Sequence, residues 1–145
     1  MDNELAAHRL DGATVILAED DDDSRALLAF ALETCGARVV SAPSARAALA
    51  LVDDVVPTVL VTDISMPGEN GYWLVDEMRK VLGRRGLSLP AVACTALALD
   101  DVLHPAHAPE FQRYVNKPFD PFDLCAAVAD AIGTMPPRRA AVSLR

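Results

Sequence analysis

Alternation of short apolar runs with segments of helical character is the feature that most constrains the fold of this chain. Five such runs occur, each short enough for a strand, and the first, third and fourth are apolar enough to be buried on both faces of a sheet. The predicted strands are residues 14–18, 38–41, 59–61, 90–95 and 113–116. Strands that alternate with helices in this way form a parallel sheet with helices on both faces. The sequence therefore predicts an α/β fold.

Helix signals follow every one of these strands except the fourth. The predicted helices are residues 24–35, 44–52, 72–82 and 121–132. Ser44 and Asp120 are placed to cap two of them. Pro105 and Pro109 interrupt the segment before the last strand, and a proline inside a helix costs about 3 kcal/mol. We therefore expect a short or broken fourth helix over residues 98–112.

Length and composition indicate one compact domain. The chain has 145 residues, a hydrophobic content of 52% and a mean hydropathy of +0.21, which suffice for one buried core and argue against disorder. The polar first residues and the proline- and arginine-containing last residues lie outside the predicted strands and helices. We expect a domain over residues 13–133, preceded by a flexible arm, 1–12, and followed by a flexible tail, 134–145.

Hydropathy, net charge and the spacing of cysteines and histidines limit the possible location and function of the protein. No apolar run approaches membrane-spanning length and the N-terminus lacks a signal-peptide pattern, so we expect no membrane insertion and a cytoplasmic location. A net charge of −8 argues against direct contact with nucleic acid. Cys35, Cys94 and Cys125 are widely spaced and odd in number, which favours buried reduced thiols over disulfides. His104 and His107 have no third metal ligand nearby, so we interpret them as exposed loop residues.

Polar side chains follow four of the predicted strands. Glu19 and Asp20 follow the first, Asp63 the third, Lys117 the fifth, and Thr95 ends the fourth. Parallel strands point their carboxyl ends at one edge of the sheet, where ligands bind in open α/β folds. In the strand order 2-1-3-4-5 the first and third strands are neighbours, which sets the first pair of acids against the third strand's acid. A single aspartate there would be read as a turn cap, but the combination predicts a functional site.

Five consecutive acids, residues 19–23, follow the first strand. Acids are favoured in the first turn of a helix, which accounts for Asp22 and Asp23 if Asp23 or Ser24 is the cap. Glu19 and Asp20 lie closer to the strand end, where clustered like charges are costly unless a cation lies between them. We therefore expect a cation at this edge of the sheet.

The chain resembles the receiver domain of two-component response regulators from about residue 14 to residue 133. The resemblance includes the single-domain chemotaxis regulator and the receivers attached to hybrid histidine kinases. The matching residues are Glu19 with Asp20, Asp63 followed by Met66, Pro67, Gly68 and Gly71, Thr95 with Ala96, and Lys117 with Pro118 and Phe119. The resemblance implies a flavodoxin-like, doubly wound five-stranded parallel sheet of order 2-1-3-4-5.

The resemblance also implies a role for each matching side chain. Asp63 would be the phosphoacceptor, and Thr95 and Lys117 would contact the phosphoryl group. Mg²⁺ would be bound by Asp20, Asp63 and the backbone carbonyl of Ser65, with Glu19 contributing through water. Tyr114 would be the aromatic switch residue, and the peptide bond between Lys117 and Pro118 would be cis.

The chemistry of these residue types agrees with such roles. A carboxylate can attack phosphorus to give an acyl phosphate, and Mg²⁺ takes oxygen ligands and neutralises the charge that would otherwise repel the phosphoryl group. Lys117 adds a compact positive charge. If Thr95 moves toward the phosphoryl group, it vacates space into which Tyr114 can turn, so a local charge biases a two-state element.

We therefore expect a single-domain response regulator that accepts a phosphoryl group from a histidine kinase or histidine phosphotransfer protein. It would signal by changing its binding to a downstream protein, and would catalyse only its own phosphorylation and dephosphorylation. One alternative is an interaction module of the same fold that works without phosphate. Another is a phosphatase with an aspartate nucleophile, but those need a second acid where Ser65 stands.

Overall fold

A computed structural model describes residues 9–96 and 110–134 of the chain. Its five strands form one parallel sheet in the order β2-β1-β3-β4-β5, as predicted. The elements are β1 (Thr14–Ala18), α1 (Asp22–Thr34), β2 (Arg38–Ala42), α2 (Ala45–Ala50), a 3₁₀ turn (Leu51–Asp53), β3 (Val59–Thr62), α3 (Gly71–Gly83), β4 (Ala91–Thr95), β5 (Arg113–Asn116) and α4 (Pro121–Gly133). The doubly wound α/β prediction is confirmed.

The core lies in two layers, one on each face of the sheet. Val15, Val61 and Val92 belong to the layer that packs against α1 and α4. Ile16 and Leu60 belong to the opposite layer, against α2 and α3. All four residues of β3 are buried, because this central strand has helices on both faces. The loop after β3 is therefore anchored to the most buried strand of the sheet.

Local capping signals were correct for two helices and wrong for a third. Ser44 and Asp120 accept hydrogen bonds from the first turns of α2 and α4, as predicted. The cap of α1 is neither Asp23 nor Ser24 but Asp21, whose Oδ2 accepts from the Ser24 backbone N–H at 2.8 Å. The helix begins at Asp22 because the strand-to-helix turn is shorter than we expected.

The core also extends beyond the predicted domain boundary. Leu10, which we expected in the flexible arm, is buried, and its backbone N–H donates to the Cys35 carbonyl at 2.7 Å. At the other end, Thr134 caps α4. The predicted irregular helix falls almost wholly on residues outside the described ranges, as do His104, His107 and the tail beyond Thr134.

Two sequence expectations concern burial and membranes. All three cysteines are buried and none is in a disulfide, as expected. Within residues 9–96 and 110–134, no helix is both long and apolar enough to cross a membrane.

Candidate functional site: an acidic pocket at the edge of the sheet

Pairing of β1 with β3 brings the predicted acids together. The register places Ala18 beside Thr62, and the Asp63 backbone N–H donates to the Ala18 carbonyl at 3.0 Å. Glu19 and Asp20 follow directly after β1. Carboxylate oxygens of Glu19, Asp20 and Asp63 all lie within 4.8 Å of one another. The convergence that the strand order predicted is therefore present in the structure.

Backbone N–H groups orient the Asp63 side chain, and a neighbouring hydroxyl holds its backbone carbonyl. Its Oδ1 accepts from the backbone N–H of Ile64 at 2.7 Å and, more weakly, from that of Ser65 at 3.4 Å. The Thr62 hydroxyl donates to the Asp63 carbonyl at 2.7 Å. Asp63 is 8% exposed. One carboxylate oxygen is thus held by the loop, and the other, Oδ2, faces Lys117.

Lys117 supplies the cation that the acidic edge requires. It follows β5, and its backbone N–H donates to the Thr95 carbonyl at 2.9 Å. Its Nζ hydrogen-bonds to Glu19 Oε1 and lies 3.3 Å from Asp63 Oδ2. Burial opposes its charge, yet the hydrogen bond to Glu19 and the charges of both carboxylates raise the pKa of Lys117, so the ammonium stays protonated. The cis bond to Pro118 is also as predicted.

The five consecutive acids have different environments. Glu19 is 1% exposed, and burial raises its pKa despite the opposing hydrogen bond from Lys117. Its Oε2 accepts from the Asp21 backbone N–H at 3.1 Å, and its carbonyl accepts from Arg25 Nη1 at 3.0 Å. Arg25 also pairs with Asp22 at 2.6 Å. The positive charges of Lys117 and Arg25 together offset the negative charge of these acids. The sequence had indicated only Lys117.

The donor set fits a magnesium ion. Mg²⁺ prefers oxygen ligands and is commonly held by one or two carboxylates with several waters. Here Asp20 is exposed, whereas Glu19 and Asp63 are buried. An exposed acid beside two buried ones leaves room for water on one side of the pocket. Ser65 adjoins Asp63 and donates its N–H to that side chain, and the ligand role of its carbonyl stays a prediction.

The two predicted switch residues lie on neighbouring strands. Thr95 is the buried last residue of β4, and Tyr114 is half-buried on β5, in register with Ala93. The Tyr114 ring packs edge-to-face on Phe111 at 5.6 Å, and Phe111 lies 5.8 Å from Tyr72 of α3. Burial raises the pKa of the Tyr114 phenol. The sequence did not indicate Phe111 as a core residue, because no local periodicity includes it.

Gly71 lies closer to the site than its place in the motif suggested. A Cβ at this position would lie 2.5 Å from the Asp63 carbonyl oxygen and 3.0 Å from Ile64 Cα. The Gly71 backbone N–H also donates to the Ile64 carbonyl at 2.9 Å. The first residue of α3 therefore packs directly on the backbone that carries the central carboxylate. Only a residue without a side chain permits this contact.

Comparison with known proteins assigns the family. Residues 15–129 match the model of the response regulator receiver domain. The chain therefore belongs to the response regulator receiver domain family, the class that its fold and acidic pocket define. Receiver domains of response regulators are phosphoacceptors in two-component signalling and are phosphorylated by histidine kinases. The family generally binds Mg²⁺ at an acidic pocket.

Individual relatives differ in how much of their length the chain covers. It is 37% identical over 123 residues to a 14.6 kDa protein encoded in the sodA1 3′ region of Leptolyngbya boryana, covering 85% of this chain and 92% of that protein. It is 34% identical over 122 residues to the transcriptional regulatory protein FixJ of Azorhizobium caulinodans, covering 82% of this chain but 54% of FixJ. The chain thus spans about half the length of that regulator.

Solved structures show the same fold. A sensor protein from Polaromonas sp. JS666 aligns with a TM-score of 0.77 and 25% identity, over 86% of this chain and 99% of that one. NtrX from Brucella abortus aligns with a TM-score of 0.77 and 27% identity, over 92% of this chain and 30% of that one. Both similarities extend across the sheet and its helices.

Proposed function

We propose that this protein is a single-domain cytoplasmic response regulator that accepts a phosphoryl group on Asp63. The donor would be a histidine kinase or a histidine phosphotransfer protein. The observation that carries this proposal is the position of Lys117, whose ammonium bridges Glu19 and Asp63 beside the exposed Asp20. Similarity to a relative of 14.6 kDa over 92% of its length supports action without an attached output domain.

The hydrogen bonds of Asp63 favour Oδ2 as the oxygen that would react. Oδ1 is held by two backbone N–H groups, whereas Oδ2 is held only by the side chain of Lys117 among the hydrogen bonds described. A mobile side chain can exchange its partner, and Lys117 can pair with a phosphoryl oxygen as the donor approaches. Oδ2 then forms a bond to phosphorus while the bond from phosphorus to the donor's imidazole nitrogen breaks. The electron pair of that bond returns to the imidazole, and the product is an aspartyl phosphate.

Asp20, Asp63 and the Ser65 carbonyl would hold Mg²⁺, with Glu19 contributing through a bound water. When bound, the ion supplies charge neutralisation at the phosphoryl oxygens. The chain's own residues do the remaining work: the loop orients Asp63, and Lys117 compensates the charge of the product. The protein would catalyse only its own phosphorylation and dephosphorylation.

The output would be a change in protein binding at the face formed by β4 and β5. Thr95 ends β4 at the pocket, and its hydroxyl is of a type that can donate to a phosphoryl oxygen. Tyr114 on β5 packs on Phe111 and is only half-buried. If Thr95 moves toward the aspartyl phosphate, Tyr114 gains room to turn inward, which changes the surface offered to a downstream protein.

The test is phosphoryl uptake from acetyl phosphate in the presence of Mg²⁺, measured by intact mass spectrometry. We expect the wild type to gain the mass of one phosphoryl group and Asp63→Asn to gain none. Asp54→Asn is the matched control, because Asp54 is an exposed carboxylate near the end of the 3₁₀ turn. It should take up phosphate like the wild type. Omitting Mg²⁺ should abolish uptake by the wild type and by Asp54→Asn.

Two results would contradict the proposal. Equal uptake by Asp63→Asn would show that another residue is the acceptor. Absence of both uptake and Mg²⁺ binding in the wild type would favour the alternative, a receiver-like module that binds its partner without phosphorylation.

A further inference from the structure

Arg25 contacts the acidic turn after β1 and has no role in the phosphoryl transfer proposed above. Its Nη1 donates to the Glu19 carbonyl at 3.0 Å, and its Nη2 pairs with the Asp22 carboxylate at 2.6 Å. The Arg25 side chain is 22% exposed, so most of it is covered by the protein. The guanidinium therefore joins the backbone at the end of β1 to the first turn of α1.

The ion pair with Asp22 does not by itself account for this placement. The Asp22 side chain is 87% exposed, and pairs made with exposed charges contribute little to stability. Arg25 also lies close to the N-terminus of α1, which begins at Asp22, and the helix dipole disfavours a positive charge there. The hydrogen bond to the Glu19 carbonyl is therefore the more informative of the two contacts.

The Glu19 carbonyl helps to determine where Asp20 lies. The peptide unit between these residues is planar, so the carbonyl oxygen and the Asp20 Cα belong to one rigid group. Asp20 is exposed, yet one of its carboxylate oxygens lies within 4.8 Å of those of Glu19 and Asp63. An exposed side chain keeps such a position most readily when the backbone that carries it is held in place. Arg25 holds that backbone on the side of β1.

A fixed backbone at this point matters for a magnesium ion. Mg²⁺ demands a nearly ideal octahedral arrangement of its oxygen ligands, so a small displacement of one carboxylate weakens binding. Groups that orient metal ligands without touching the metal typically change metal affinity about 10- to 100-fold when they are removed. The atoms with which Arg25 forms its described hydrogen bonds, the Glu19 carbonyl oxygen and Asp22 Oδ1, are not among the proposed ligands.

We propose that Arg25 is a positioning residue for the magnesium site. By holding the Glu19 carbonyl, it directs the Asp20 carboxylate toward Asp63. This inference rests on the Mg²⁺ binding included in the proposed function, and it adds a residue of α1 to the groups on which that binding depends.

The charge of Arg25 and its positioning role have opposite effects on Mg²⁺ affinity. Removing a positive charge beside an acidic pocket strengthens the attraction of that pocket for a cation. A purely electrostatic role therefore predicts that Arg25→Gln binds Mg²⁺ more tightly than the wild type. A positioning role predicts weaker binding, so the sign of the change separates the two.

The experiment is a titration of the full chain with MgCl₂ at constant ionic strength, followed by two-dimensional NMR. The amide signals of Ile64 and Ser65 report on the site, because both N–H groups donate to Asp63 Oδ1. We expect Arg25→Gln to raise the Mg²⁺ dissociation constant about tenfold. An unchanged or lower dissociation constant in folded Arg25→Gln would overturn this inference and leave the proposed function intact. Absence of Mg²⁺ binding by the wild type would contradict the proposed function itself.

Two further variants complete the test. Arg38→Gln is the matched control for net charge, because Arg38 is exposed and begins β2, at the edge of the sheet opposite the pocket. It should bind Mg²⁺ like the wild type, and a tenfold loss there as well would overturn the inference. Arg25→Lys covers the case in which Arg25→Gln does not fold. It keeps the charge but lacks the planar fork that reaches both acceptors, so it should also weaken Mg²⁺ binding severalfold. Wild-type affinity in Arg25→Lys would overturn the inference.

Discussion

Replacing Gly71 with alanine tests whether close backbone packing positions the proposed phosphoacceptor. The added Cβ would lie 2.5 Å from the Asp63 carbonyl oxygen, whereas ordinary van der Waals contact begins at 3.4 Å. Relief of this overlap requires a displacement of about 0.9 Å (3.4 − 2.5) between α3 and the loop after β3. The neighbouring atom is backbone, so no side-chain rotation can absorb the change.

This displacement acts directly on the reacting group. The carboxylate of Asp63 is oriented by the N–H of Ile64, and both residues belong to the backbone that the alanine would push. A misplacement of about 1 Å in a catalytic group can cost about 10²-fold in rate. We therefore expect Gly71→Ala to lower the initial rate of phosphoryl uptake about 10²-fold, with a loss of stability of about 1–3 kcal/mol from overpacking.

The measurement is the initial rate of uptake from acetyl phosphate at saturating Mg²⁺, at a temperature where circular dichroism shows the variant folded. Gly83→Ala is the matched control, because Gly83 ends the same helix and a Cβ there meets no atom within 4 Å. It should phosphorylate at the wild-type rate. The positioning role is refuted if folded Gly71→Ala also does so, or if both variants lose rate equally.

Three further predictions concern pairing and burial. Lys117→Met leaves the buried Glu19 carboxylate without its cation. Chemical denaturation without Mg²⁺ should therefore show a loss of about 2–3 kcal/mol in the free energy of unfolding. An unchanged free energy of unfolding would contradict the pairing. Gln112 Oε1 accepts from the Ala91 backbone N–H at 2.7 Å and from Arg79 Nη2 at 3.1 Å. Gln112→Leu removes this acceptor and should cost about 1–3 kcal/mol of stability in thermal unfolding. Gln112→Glu keeps the acceptor and should cost clearly less. Burial raises the pKa of Cys94 from 9.0 to about 12, which keeps the thiol protonated. At pH 8 the alkylation of Cys94 should therefore be about 10³-fold slower in the folded chain than in the urea-unfolded chain. Similar rates in the two states would contradict this prediction.

Much of the fold was predictable because its signals are local. The length and apolar character of each strand, and caps such as Ser44 and Asp120, depend on residues within a few positions of one another. The convergence of Glu19, Asp63 and Lys117 was also predictable. Parallel topology sends every strand's carboxyl end to one edge, so the element order was enough to bring these residues together.

The tertiary structure alone decided the part that each acid plays. The sequence separated the five adjacent acids only into a pair near the strand end and a pair in the first helical turn, yet Glu19 is buried against Lys117, Asp20 is exposed, and Asp21 caps α1. Lys117 lies 98 residues from Glu19 in the chain, and no local pattern encodes which carboxylate it meets. The contact of Gly71 with Asp63 likewise depends on how α3 packs on the loop after β3. Such contacts are set by the distance between backbones after folding, and for that reason only the folded chain shows them.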